Sequence, residues 1–449
     1  MPYEGEYAGY RSVRRLVTNE SVQQLLKRSR IAPPTSNDPP VEPVPSPALT
    51  SPTPDFVVGI DGSYSEVPVK NGYPGAHVGY CTVASVLINL KLIDTLDDER
   101  PIDPKLFRET EKAATIDAAL PGSNVVTRNH TSARDAFREA VFDVLHDRLV
   151  DEQDRTRLLE TYEVLLSHKP KGRDQTCPYD HLGCERHFVI PAGTTACPCK
   201  KRRPLYCTDA LRIHERFSDA GTNGEAFGLV SEVWGKVLLV HLLRCFERQG
   251  LLDSMSRLAF VLDGPLGVFG PPAWLSAAIS KELKRLNAIF RQKTGTDLLI
   301  LGIEKTGTFV THFDEIDQTE QPGVARFAPR THLLLTDRYI KDRISLSDSD
   351  KRYGVDTYFG RKFFYKSEAG GRIVGTLPFL THEQDTLDSA DTSLYPQFGT
   401  LCALLDKLAS NRYPNAVTPL VSAHAEAAIP LELGRKVLQQ LAQALMRRD

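Results

Sequence analysis

The sequence predicts an α/β protein built on one mixed sheet with flanking helices, and three observations predict it. Two apolar runs roughly two hundred residues apart, FVVGID at Phe56–Asp61 and LAFVLD at Leu258–Asp263, both lead into Asp-Gly. The order strand, helix, strand over residues 258–304 is that of parallel strands joined by a right-handed crossover. Between these regions, residues 172–207 hold five of the eight cysteines among prolines and glycines, which marks an irregular, Cys-rich insertion.

Taken in order, residues 1–32 form an N-terminal helical arm, with Val13, Leu16, Val17, Val22, Leu25 and Leu26 near helical spacing. Residues 33–54 carry nine of the thirty prolines among Ser, Thr, Asn and Asp, too polar and proline-rich to pack, and read as an extended linker. The folded body takes up 55–449. It begins on the strand that reaches Asp61, with a turn expected behind it. His77–Leu90 has the β-branched content of a second strand pairing back on the first. From Pro104 to Leu166 the pattern is helical, AFREAVFDVLHDRLV being the clearest amphipathic stretch. After the insertion, helical order resumes near Asp209 and Ser231–Arg248 is strongly apolar on one side. Strand Leu258–Asp263, helix Trp274–Arg291 and strand Asp297–Glu304 follow, then shorter strand-like pieces near 332, 358 and 372, and a helix over Glu432–Arg447.

A net charge of −2 excludes a protein that is basic all over, so any grip on nucleic acid must come from local clusters such as Lys200–Arg203 or Arg338–Arg343. No apolar run approaches the roughly 18 residues of a membrane span. The N-terminus lacks the apolar stretch of a signal peptide, and the expectation is a cytoplasmic protein with no membrane attachment. Its eight cysteines then read as thiols or metal ligands and not as disulfides. There is no G-x-x-x-x-G-K-[ST] stretch, hence no P-loop and no motor of its own.

A carboxylate at the edge of a buried strand costs several kcal/mol unless a counter-charge or metal takes it up. Asp-Gly is also the commonest hairpin dipeptide, so a plain turn competes for Asp61. The recurrence at Asp263 favours a site, because neighbouring strands would place two carboxylates side by side as hard oxygen ligands for Mg²⁺ or Mn²⁺. For a third acid, Glu232 lies near the start of the helix that precedes the second strand and runs back over the sheet. The competing reading is an acid satisfying the helix dipole. Glu247 is ~22 Å further along at 1.5 Å per residue and drops out, while Glu225 and Glu215 stay as alternatives. Lys305, after a buried strand, either holds a scissile phosphate by its charge or is a solubilising lysine at a strand end. In the insertion, Cys177 with Cys184 and Cys197 with Cys199, or Cys207 in place of one, supply thiols for a tetrahedral zinc, with His181 and His187 nearby.

Four stretches in fixed order carry a resemblance: GIDGSYSEV at 59, FVLDGPLG at 260, LGIEKTGT at 301 and RYPNAVTPLVSAHAEAAI at 412. With them, the chain from Asp55 onward resembles the NurA-domain nucleases. The resemblance implies an RNase H-like core, a Mn²⁺-dependent nuclease acting on DNA ends, a homodimer, and a hexameric ATPase partner called HerA. It implies Asp61, Asp263, Tyr413 and His424 as site residues, with Glu232 as the third acid, although Asn415–Thr418 lengthens the spacing from Tyr413 to His424. The expectation is a metal-dependent DNA nuclease in end processing or defence against foreign DNA. The competing expectation is an inactive, zinc-stapled adaptor on a DNA-translocating ATPase.

Overall fold

The computed structural model describes residues 10–29, 42–70, 75–93, 111–150, 155–170, 174–199, 201–319, 324–382, 387–409, 418–428 and 433–446. Along the chain run strands β1 Val44–Pro45, β2 Phe56–Lys70, β3 Ala76–Asn89 and β4 Glu111–Pro121. The insertion contributes β5 Gln175–Thr176, β6 His187–Phe188, β7 Thr194–Ala196 and β8 Pro204–Tyr206. Then come β9 Leu258–Asp263, β10 Leu299–Glu304, β11 Thr331–Leu334, β12 Gly360–Lys366 and β13 Arg372–Pro378.

Nine of the described strands form one mixed sheet in the order β1-β11-β12-β13-β10-β9-β2-β3-β4. At its centre β9 is parallel to both β2 and β10, while the other neighbours are antiparallel. The crossover from β9 to β10 is the Leu275–Thr294 helix. Its buried Leu275, Ala278, Ile279, Leu283, Leu286 and Phe290 recur at three- and four-residue steps, and Gly295, at φ 76°, ends it in the left-handed region.

Period two sorts the central strands onto two cores. Val58, Ile60, Phe260, Leu262 and Ile300 pack with the Gly224–Arg248 and Leu275–Thr294 helices. Val57, Ala259, Val261, Leu299, Leu301 and Ile303 pack under the Phe398–Leu408 and Thr418–Ala427 helices. Burial on both faces is why these strands read as continuous apolar runs. The Gly224–Arg248 helix is long and apolar enough to cross a membrane, but 72% of its most apolar window is buried inside the protein, as in a core helix.

The structure corrects three expectations. The first strand does not end in a turn at Asp61: β2 runs on to Lys70, pairing Asp61 with Ala84 of β3. Its partner β3 is nearly as long, so the ladder continues on that side after β9 has stopped. Secondly, the supposedly helical region after Pro104 contains the edge strand β4. Only Ile116 and Leu120 mark its alternation toward the core, ending in Pro121, and the intervening alanines blur the period. Thirdly, the end of the proline-rich linker is packed. Val44 pairs with His332 across β1 and β11, and the Ser51 hydroxyl donates to Gln397 at 2.7 Å.

At the N-terminus the arm is two helices, Arg11–Thr18 and Glu20–Arg28, neither with a buried residue. The Asn19 side chain caps the second by accepting from the Val22 amide at 3.2 Å. At the C-terminus the last helix spans Leu433–Met446.

Candidate active site

The site lies where the central sheet changes length. β9 and β10 end at Asp263 and Glu304, whereas β2 continues. Gly264, at φ 82°, turns the chain away, and Gly302 lacks a side chain where a Cβ would sit 2.7 Å from the Gly264 carbonyl. Beyond the two strand ends opens a cleft of about 930 Å³, lined among others by Asp61, Glu232, Lys236, Asp263, Lys305 and His424.

Asp61 and Asp263 are level on adjacent parallel strands, since Ile60 is paired with Leu262. They share the sheet face of Val57 and Val261, the face covered by the Thr418–Ala427 helix. Asp61 is only 5% exposed. One carboxylate oxygen accepts from the Gly62 amide at 2.7 Å and the other lies 2.8 Å from Nδ1 of His424. Burial, and then the like charge of Asp263, raise its proton affinity above the ordinary carboxylate range; His424, Lys305 and the Gly62 amide offset this in part. Asp263 accepts from the Lys305 ammonium at 3.1 Å.

From the opposite face comes the Gly224–Arg248 helix. A Cβ on Gly62 would meet the Ser231 hydroxyl at 2.5 Å, so only glycine lets this helix lie so close to β2 beside Asp61. The next residue is Glu232, in the third turn of the helix and not in its first. Glu232 accepts no hydrogen bond among the described residues; burial raises its proton affinity, and Lys236, one turn along, offsets that. Lys236 is buried, which pushes its ammonium below the usual lysine range, and it donates to the Pro265 carbonyl at 2.9 Å. It thereby ties the helix to the loop behind Asp263.

Glu304 also reaches the cleft, but it is paired with Lys362, whose ammonium lies 4.2 Å from the centre of the Phe309 ring. Its charge is committed within the fold. The alternatives to Glu232 are engaged elsewhere: Glu215 with Arg212, Glu225 with Arg216 and Glu247 with Arg285. Tyr413 falls outside the described residues. Lys236 and Glu304 are cleft residues that sequence reasoning passed over. Glu304 ends the DLLILGIE run, and Lys236 lies four residues after Glu232, so both carried a positional signal.

The donor set fits a hard divalent cation: two level carboxylates that repel each other, and a third that accepts no hydrogen bond among the described residues, each offering oxygen. No three of these groups converge within 4.8 Å among the described residues, whereas the thiols of Cys177, Cys184 and Cys197 do. Cys199 packs against that thiol cluster. Cys207 does not belong to it and is buried in the main core.

A mixed α/β sheet with an acidic cleft at the carboxyl ends of its central parallel strands is the class of protein that these features define. The NurA domain family matches residues 56–429, and the chain belongs to that family. Among solved structures, the chain is similar to the NurA nuclease from Sulfolobus solfataricus, with 10% identity, 98% of this chain and 94% of that chain covered, and a TM-score of 0.33. A second NurA structure matches with 12% identity over 90% of this chain and 91% of that one, at TM-score 0.26. A NurA structure solved with manganese has the same identity and coverage at 0.25. A sequence search among curated proteins found no match.

Proposed function

We propose that the cleft hydrolyses phosphodiester bonds of DNA with Mn²⁺ or Mg²⁺ held by Asp61, Asp263 and Glu232. The observation that carries this reading is the level placement of Asp61 and Asp263 on adjacent parallel strands, facing one cleft with Lys305 and His424. Membership of the NurA family supports it. So does the strand order β4-β3-β2-β9-β10, three antiparallel strands followed by two parallel ones, which suits an RNase H-like core. When bound, divalent metal supplies a hydroxide near neutral pH and stabilises the leaving oxygen.

This chain's own residues do the rest. Gly62 and His424 orient Asp61 by its two oxygens. Lys305, 29% exposed beside Asp263, offers a positive charge to a non-bridging phosphate oxygen. Lys236 fixes the loop at Pro265 that forms the cleft wall. The family setting supports work at DNA ends or against foreign DNA as a homodimer with a HerA-like ATPase. The uncovered apolar residues of the N-terminal arm, Val13, Leu16, Val17, Leu25 and Leu26, suit a docking element for that ATPase.

The test is cleavage of end-labelled linear DNA with and without Mn²⁺, comparing the native chain with Asp61→Asn. Metal-dependent cleavage that disappears in a variant with unchanged circular dichroism is the expected result. A folded Asp61→Asn chain cutting at the native rate would overturn the reading, and a native chain inert under all metal conditions would favour the adaptor.

A further inference from the structure

The insertion at 174–207 has almost no core of its own. Its ladders are two residue pairs for β5–β6 and three for β7–β8. The buried residues of its local apolar cluster are Cys177, Tyr179, Cys197 and Leu205, a set too small to hold a loop of this length by burial.

Both ladders close directly behind a cysteine. The Cys177 amide donates to the Arg186 carbonyl at 2.9 Å, and the Cys197 amide donates to the Arg203 carbonyl at 2.8 Å. Each hairpin thus carries two thiols in its loop: Cys177 and Cys184 in one, Cys197 and Cys199 in the other. The Cys197 sulfur is 3.5 Å from that of Cys177 and 3.7 Å from that of Cys184. These separations are far beyond a disulfide, which is about 2.05 Å. They match the ~3.8 Å edge of a tetrahedron whose centre lies ~2.3 Å from each sulfur, the Zn–S bond length.

Arg186, Lys201, Arg202 and Arg203 flank the group in sequence and counter the negative charge of four thiolates.

We propose that Cys177, Cys184, Cys197 and Cys199 hold one tetrahedral zinc ion that joins the two hairpins and serves as the core of the insertion. Four thiolates leave no open position, so the ion is structural. Soft sulfur ligands in this geometry select zinc over the hard cations of the acidic cleft, and none of the four cysteines lines that cleft. Cys207, whose thiol is pushed up to about 12 by burial, stays a packed core thiol.

The experiment is elemental analysis of the full-length protein, purified without chelator or immobilised metal. One zinc per chain is expected, kept by Cys207→Ser and Asp61→Asn and lost from the Cys197→Ser/Cys199→Ser double variant. Should the double variant fail to fold, the native chain decides. Its zinc should leave in step with titration of thiols by a mercurial, and cobalt in its place should show the charge-transfer absorption of a tetrathiolate. Absence of zinc, iron in its place, loss with Cys207→Ser, retention in the folded double variant, or cobalt without thiolate absorption would overturn the proposal.

Discussion

Nδ1 of His424 lies 2.8 Å from Oδ2 of Asp61, although 363 residues of chain separate them. The contact joins the most buried carboxylate of the cleft to a mostly exposed imidazole, with side-chain exposures of 5% and 60%. His424 is one of the groups that hold down the proton affinity of Asp61 against burial and the charge of Asp263. In His424→Ala that influence is gone and the carboxyl rises further. If cleavage requires ionised Asp61, the acid limb of its rate–pH profile moves to higher pH. An unmoved limb with a lower plateau would mean that His424 acts on the substrate and not through Asp61.

Asp61→Asn should stabilise the metal-free protein at neutral pH. The folded-state pKa of Asp61 lies above its ordinary value of 3.8, so the ionised form costs stability wherever both states are deprotonated. That cost falls as pH drops through the raised pKa, and the advantage of the asparagine shrinks with it. Melting temperatures in EDTA from neutral to acid pH follow the effect. Mn²⁺ at a hundred times its dissociation constant should add about 2.7 kcal/mol to the native chain and far less to the variant. Equal gains in both would separate the cation from Asp61.

Gly62→Ala places a methyl group 2.5 Å from the Ser231 hydroxyl and should destabilise the fold by about 1–3 kcal/mol through overpacking. The Ser231 hydroxyl is buried and has no hydrogen-bond partner among the described residues, so Ser231→Ala alone should cost little. Combined with Gly62→Ala it should recover much of the loss. Denaturant midpoints of the four proteins give the coupling energy. A double variant no better than Gly62→Ala would show that backbone, not the hydroxyl, sets the separation of helix and strand.

Deleting residues 1–32 removes two helices without a buried residue, so the melting temperature of the body should not change. Co-purification with a HerA-type ATPase should weaken. Undiminished co-purification would exclude the arm as the docking element while leaving the partnership open.

The central strands were legible because burial on both faces writes an unbroken apolar run. Asp61 and Asp263 stood out as charges interrupting two such runs. What lay beyond them was set by neighbours that a single segment does not reveal. The continuation of β2 past Asp61 depends on β3 matching it in length, while β9 and β10 stop short. The strand β4 hid among alanines because an edge strand needs only Ile116 and Leu120 toward the core. Lys236 reads as one more charge on an amphipathic helix until the Pro265 carbonyl is seen to receive it. The four cysteines were visible as a group, but their partition into two hairpin loops, with Cys207 outside, needed the ladders β5–β6 and β7–β8.

The span from Asp61 to His424 also sets the order in which a growing chain gains its parts. The carboxylate is made on β2, but β9, its parallel neighbour, follows only after roughly two hundred further residues. The imidazole comes on a helix that begins at Thr418, later still than β9 and β10. A translation product broken off before that helix carries Asp61 without His424. On the proposed activity, the full cleft exists only once the Thr418–Ala427 helix has been made, and chains broken off before it lack that cleft beside the cell's own DNA.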